Sequence, residues 1–430
     1  MINSSIAAIL GLILAIILII KKVSPVYSLM LGALIGGFLG CGSIVQTVVD
    51  MFDGVKSITP AVLRILSAGV LSGALIKSGA AASISDAIVR FFGPRFVFLS
   101  LALATMILCA VGVFVDVAVI TVAPIALALS GKLGLSKSKV LLALIGGGKC
   151  GNIISPNPNT IVAAENYDAP LSSVMAAGII PALLGLAVTV YVLVPLFPSY
   201  GETCSGKDIS AGGESRQSGS DIISVSLSKM PSFLASITGP LATIMILALR
   251  PLFGIVIDPL IALPIGGLIT LAATGSFSLT AESLNYGLSK MAPVAVLLIG
   301  TGTIAGVISA SDMRDVVIGW LTNWNVSGMI MAPLSSILMS AATASTTAGA
   351  TIASASFANT ISATGVAGIW GAALTNAGAT VLDHLPHGSF FHATSGSVSM
   401  SFKERLRIIP FESLVGLTLT LSTLLCAAVL

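Results

Sequence analysis

Five ionisable side chains stand in segments otherwise apolar enough for a bilayer: Asp116, Lys149, Asp383, His384 and His387. A charge at mid-membrane costs about 2.5–3.5 kcal/mol on insertion scales, so each is read first as functional. Asp116 and Asp383 could take up and release a coupling proton, and His384 and His387 titrate nearest neutrality, which suits a relay. Lys149 offers a point charge to a substrate carboxylate. Two plainer readings stand beside these: a structural Asp116–Lys149 ion pair, and histidines that merely cap a helix. Zinc is disfavoured, because His384-x-x-His387 with Pro386 between does not share one regular helical face. No metal and no cofactor is expected beyond a coupling ion, H+ or its nearest variant Na+.

Uncharged polar groups gather around the same segments. Gly146-Gly147-Gly148-Lys149-Cys150-Gly151-Asn152 and Ser155-Pro156-Asn157-Pro158-Asn159-Thr160 combine glycines with prolines that lack an N–H, so the helix carrying them should unwind in its second half. Freed amides and the side chains of Asn152, Asn157, Asn159 and Thr160 could then bind carboxylate and hydroxyl oxygens, with half-helix N-termini favouring the anion. A second set holds Ser345, Thr346 and Thr347 in a hydroxyl-rich tip, Asn376, and Asp383 through Gly388. For any single hydroxyl, back-bonding to a carbonyl one turn earlier is the plainer use.

The elements that carry these groups follow from length. A span needs about 20 apolar residues at about 1.5 Å each. Ten such runs occur, near 5–21, 26–45, 59–78, 140–163, 172–198, 233–254, 259–276, 290–309, 365–391 and 408–429. Segments 96–131 and 326–361 are instead pairs of short apolar arms around polar tips, as in re-entrant hairpins, and 140–163 and 365–391 read as broken helices. The predicted fold is an all-α polytopic membrane protein. Residues 1–198 form a first repeat, 199–231 a polar cytoplasmic linker rich in Ser and Gly, and 232–430 a second repeat.

The halves match in register: Ile179 and Ile408, each opening a last span, are 229 residues apart, and Pro158 and Pro386 are 228 apart. Lys403, Arg405 and Arg407 mark a cytoplasmic loop, whereas the matching loop of the first half carries Glu165 and Asp168. Opposed loop charge is what an inverted second copy produces. Both termini are therefore predicted outside, with the first hairpin entering from the cytoplasm and the second from outside.

Composition bounds the class. The chain is 55% hydrophobic and 9% charged, with mean hydropathy +1.05, which only a bilayer can solvate. No Walker motif, GxSxG or metal-protease motif occurs, so ATP-driven transport and intramembrane hydrolysis lack their machinery. No nucleic-acid partner is indicated.

At Val113-Phe114-Val115-Asp116 through Pro158, in the hydroxyl-rich tip before Ala350, and in Ala379 through Phe390, the sequence resembles the gluconate permease family of proton-coupled symporters, part of the ion transporter superfamily. The resemblance covers most of both halves. Where gluconate carriers have a Pro-Pro-His-Pro-Gly run, this chain has Ser155-Pro156-Asn157-Pro158-Asn159, and it carries Leu382-Asp383-His384-Leu385-Pro386-His387, as in a divergent branch. The resemblance implies inverted repeats, a homodimer built on a scaffold domain, and elevator-like movement of a transport domain in a bacterial inner membrane. The expected cargo is a small organic anion, gluconate or a related sugar acid or hydroxycarboxylate. Substrate would be held by Lys149, Asn152, Asn157, Asn159, Thr160, Ser345, Thr346, Thr347 and Asn376, and the proton by Asp116, Asp383, His387 and His384.

Overall fold

Backbone polar groups surrounded by lipid must be satisfied within their own segment, and the elements of this chain are helices. The computed structural model describes residues 4–198, 230–312, 327–386 and 388–429. The predicted linker therefore lies almost wholly outside the described residues, as does His387.

The first half runs through α1 (Ser4–Ile20), α2 (Pro25–Cys41), α3 (Ile44–Lys77) and the amphipathic α4 (Ala80–Phe92). Two arms follow, α5 (Val97–Ala110) and α6 (Val115–Leu133), then two half-helices, α7 (Lys137–Asn152) and α8 (Pro158–Asn166). The half closes with α9 (Leu171–Ala177) and α10 (Ile179–Val188), which runs on through a π turn at Thr189–Leu193 to Leu196. A second run of helices follows the linker. It has α11 (Phe233–Phe253), α12 (Pro259–Ala273) and the long α13 (Thr280–Ser309), then the arms α14 (Gly328–Thr343) and α15 (Thr346–Ala363). Half-helices α16 (Gly368–Gly378) and α17 (Ser389–Ser397) and the final α18 (Phe402–Val429) complete it.

Paired helical arms occur at 97–133 and 328–363, and helices break between Asn152 and Pro158 and between Gly378 and Ser389. The first break comes at Pro156 and Pro158, whereas the glycines at 146–148 and 151, expected to unwind the helix, stay helical and serve close packing. Two predicted spans, 59–78 and 290–309, were too short. The helices begin at Ile44 and Thr280, run 34 and 30 residues, and pass through Pro60 and Pro293 without ending. Asp50, Asp53, Lys56 and Glu282 interrupt the apolar run in sequence but lie on continuous helix.

Helices α3 and α13 are joined by glycines in a pattern that maps onto itself. Gly54, Pro60, Gly69 and Gly73 each have a counterpart 233 positions later in Gly287, Pro293, Gly302 and Gly306. A Cβ on Gly54 would strike the Gly302 carbonyl, and one on Gly287 the Gly69 carbonyl. Likewise Gly306 faces the Asp50 carbonyl and Gly73 that of Ser283, again 233 apart. Early residues of one helix meet late residues of the other, so the pair is antiparallel. Helices α10 and α18 cross the same way, with Gly185 against Leu419 and the Phe197 and Phe411 rings 4.8 Å apart.

The half-helices pack against the hairpins. Gly147 and Gly151 of α7 press on the Ala102 and Met106 carbonyls of α5, and Gly378 of α16 presses on Pro333 and Ser336 of α14. Small residues allow such backbone contact, which is how helices gain packing energy in lipid.

Candidate functional site

Both hairpin tips turn through left-handed backbone. The first tip turns at Gly112, φ 101°, and the second at Ala344, φ 47°. A non-glycine residue there costs about 1–2 kcal/mol, so the second tip is held strained by its surroundings. After the turn, Ser345 caps α15 by accepting from the Ala348 N–H at 3.3 Å. Asp116 lies in the first turn of α6, just past the first tip.

The two breaks meet. Asn159 Nδ2 donates to Asn376 Oδ1 at 2.7 Å, and Asn376 Nδ2 donates to Thr160 Oγ1 at 3.0 Å and to the Ile153 carbonyl at 3.3 Å. Asn157 Nδ2 donates to Asn152 Oδ1 at 2.8 Å. The four asparagines and Thr160, all buried, thus bond to one another and to backbone where α7–α8 and α16–α17 meet. Of these residues, Asn152 also reaches the cavity described below.

Lys149 is 1% exposed and faces the other break rather than Asp116. Its Nζ lies 2.6 Å from Asp383 Oδ1 and 2.9 Å from His384 Nδ1, and donates to the Thr380 carbonyl. This replaces the Asp116–Lys149 pair considered from sequence: the partner of Lys149 is Asp383. His384 Nε2 donates to the Ile409 carbonyl at 3.0 Å, and Nδ1 lies 2.9 Å from both the Lys149 ammonium and Asp383 Oδ1. Thr346 Oγ1 donates to Asp383 Oδ2, so the second hairpin tip is tied to the same carboxylate.

Between the tips opens a cavity of about 690 Å³. Its wall takes Phe114 to Asp116 from the first tip, Thr343 to Ala348 from the second, Asn152 and Asp383 from the breaks, and Ser389 and Phe390 from α17. Helix α13 adds Lys290, Pro293 and Leu297, and the start of α2 adds Ser24 to Val26. Predicted residues Asp116, Asn152, Ser345, Thr346, Thr347 and Asp383 line the cavity; Lys149, Asn157, Asn159, Thr160, Asn376 and His384 stand behind its wall. Helices α2, α6, α15 and α17 all begin at this wall, so four N-termini lend it positive potential.

A family model described as GntP family permease matches residues 3–430. The chain belongs to the GntP permease family. An uncharacterised transporter of Haemophilus influenzae is 53% identical over 424 residues, 98% of each chain. A gluconate permease of Pseudomonas aeruginosa is 29% identical over 187 residues, 42% of this chain and 41% of the relative. In fold, the chain is similar to the crystal structure of the YdaH transporter of Alcanivorax borkumensis, with TM-score 0.62 and 14% identity over 91% of this chain and 89% of that one. This GntP permease is a multi-pass membrane transporter, not an enzyme.

Sequence reasoning about the permease missed Lys290 and Glu412 and misplaced Arg405, read as part of a cytoplasmic loop but buried on α18. Lys290, the first residue of the predicted span 290–309, lines the cavity from α13. Arg405 and Glu412, both 0% exposed, form a two-pronged ion pair seven residues apart on α18, with Glu412 Oε2 3.8 Å from His384 Nδ1. Arg405 also lies over the Phe391 ring, 4.8 Å from its centroid. Their i, i+7 spacing on an apolar helix was the signal that could have found them.

Proposed function

We propose that the protein is a secondary active transporter that moves a small organic anion, gluconate or a related sugar acid or hydroxycarboxylate, inward with protons. The observation that carries the reading is the cavity itself: both hairpin tips, both helix breaks and four helix N-termini converge on it, with Asp116 in its wall. Helix N-termini favour the anion, and Asp116 is the proton site. Asp383 lines the same cavity and shares a buried network with Lys149 and His384, which would pass on the change. The distant gluconate permease relative supports the cargo class.

The two halves are inverted repeats, supported by the 233-residue correspondence and the antiparallel crossing of α3 with α13. In this reading α1–α3 and α11–α13 form a scaffold that pairs as a homodimer in the inner membrane, both termini outside. Hairpins and half-helices travel across it as an elevator. The deciding experiment is uptake of radiolabelled sugar acids and hydroxycarboxylates into proteoliposomes under imposed proton or Na+ gradients. Uphill uptake driven by protons is expected; a panel on which neither gradient drives accumulation refutes symport.

Sodium coupling is the second reading. It is favoured by Asn157 Oδ1 and Ser155 Oγ, buried oxygens at the first break with no hydrogen-bond partner among the described residues. The same gradients distinguish it.

A further inference from the structure

Lys290 sits on α13, three residues before Pro293, half-buried with its ammonium 5.6 Å from the centre of the Tyr286 ring. Among the described residues that line the cavity it is the only Lys or Arg, against two carboxylates, Asp116 and Asp383. The charge of Asp383 is already matched from behind by Lys149 at 2.6 Å. Asp116 and Lys290 are therefore left to set the charge that a ligand meets. Asp116 lies in the field of Lys290.

The balance is simple. With Asp116 ionised, the two acidic and two basic side chains cancel, and only the helix N-termini favour an anion. One proton on Asp116 leaves one positive charge uncompensated, and it resides on Lys290. A monocarboxylate then restores neutrality among half-buried groups, where Coulomb attraction is stronger than in bulk water.

We propose that Lys290 is the anchor of the substrate carboxylate: it faces Asp116 in the empty carrier and turns to the anion when Asp116 takes a proton from the medium. The assignment rests on the symport reading and sharpens it, to monoanions entering with one proton per anion charge. The groups facing Asp116 are Cys109 of α5, Tyr286 and Lys290 of α13, and Asp383 across the cavity. Of the other helices packed on α6, α7 turns Lys149 to Asp383, α17 turns His392 to the Pro386 carbonyl, and α4 pairs Asp86 with Arg90. The contact is also one-sided. The position 233 residues earlier, on α3, is Ser57, in a second cavity whose charged lining is Asp50, Asp53 and Glu165. An anion carried to that side loses its cation and meets carboxylates, which favours release.

The test is proteoliposome uptake of radiolabelled D-gluconate at about pH 6 and about pH 8 by wild type, Lys290→Met, Lys290→Arg, Asp116→Asn and the Asp116→Asn/Lys290→Met double variant. Lys290→Met should raise KM by about tenfold or more, as loss of a cation–carboxylate contact does, while Lys290→Arg keeps most of the affinity. In Asp116→Asn the KM should no longer change with pH. The double variant separates an anchor from a structural pair: an anchor leaves its KM raised, whereas a KM back at the wild-type value, or an unchanged KM in Lys290→Met, overturns the assignment. Failure of wild type to take up any acid refutes the symport reading itself, and the Lys290 assignment with it.

Discussion

Lys149 and Asp383 form a buried ion pair, Nζ 2.6 Å from Oδ1, that ties the broken helix of one half to the unwound stretch of the other. His384 and the Thr380 carbonyl complete the coordination of the ammonium, and Thr346 joins the second hairpin tip to the carboxylate. Both breaks and one tip are therefore held by a single charge pair.

Removing one member of such a pair leaves the other charge buried alone, which costs about 3–5 kcal/mol. Lys149→Met should therefore lower the melting temperature of the purified protein sharply. Lys149→Met/Asp383→Asn, with no unpaired charge, should regain part of it. If Lys149→Met melts with the wild type, the pair has no structural weight and the sequence-based role of Lys149 in anion affinity regains its standing.

Asp116 has a different position, half-buried in the cavity wall and facing Lys290. Asp116→Asn preserves its shape and removes its proton exchange. Folding and detergent behaviour should stay those of wild type, while accumulation driven by a proton gradient falls to the level of passive equilibration. Gradient-driven accumulation at the wild-type level in this variant would remove Asp116 from the coupling role.

What sequence made legible follows from which signals are local. Prolines at 156 and 158 and the hydroxyl run at 343–347 act on the backbone where they stand, so the first break and the second tip were readable in place, whereas the glycines at 146–148 serve packing between helices and do not unwind α7. The first turns of α3 and α13 were not, because Asp50, Asp53, Lys56 and Glu282 end an apolar run without ending a helix. Pairing was not legible either. That Lys149 turns to Asp383, 234 residues on, and that Lys290 faces the cavity depend on how the halves cross.

Outside the spans, the loop ahead of α12 offers a pH-dependent contact. Arg64 Nη2 lies 2.7 Å from Asp258 Oδ2 and Nε 3.1 Å from Oδ1, and Arg64 also contacts Glu165 at the end of α8. The hydrogen bonds from Arg64, working against partial burial, hold the Asp258 carboxyl below its ordinary range. A carboxyl depressed in the folded state contributes stability above its unfolded pKa of about 3.9 and loses it as pH falls through the folded value. Asp258→Asn, which keeps a residue able to cap α12, should melt a little lower than wild type at neutral pH, with the difference shrinking as pH falls below about 4. A difference that persists unchanged at that acidity would assign it to the cap instead of the charge.

The glycine seam between α3 and α13 makes a prediction about symmetry. A Cβ at Gly54 meets the Gly302 carbonyl and the Gly306 backbone, and a Cβ at Gly287 meets the Gly69 carbonyl. Neither neighbour is the flexible end of a side chain, so relief requires the two helices to separate. Overpacking of this kind costs about 1–3 kcal/mol. Because the two sites are images of each other at a spacing of 233 residues, Gly54→Ala and Gly287→Ala should lower thermal stability by similar amounts. Combined, they should exceed one alone without doubling it, since helices parted at one site have already begun to part at the other. Gly134→Ala is a control for substitution at an open position with positive φ, where nothing lies within 4 Å and only backbone strain acts. Were Gly54→Ala severe and Gly287→Ala silent, α3 and α13 would not form the symmetric seam on which the inverted-repeat reading depends.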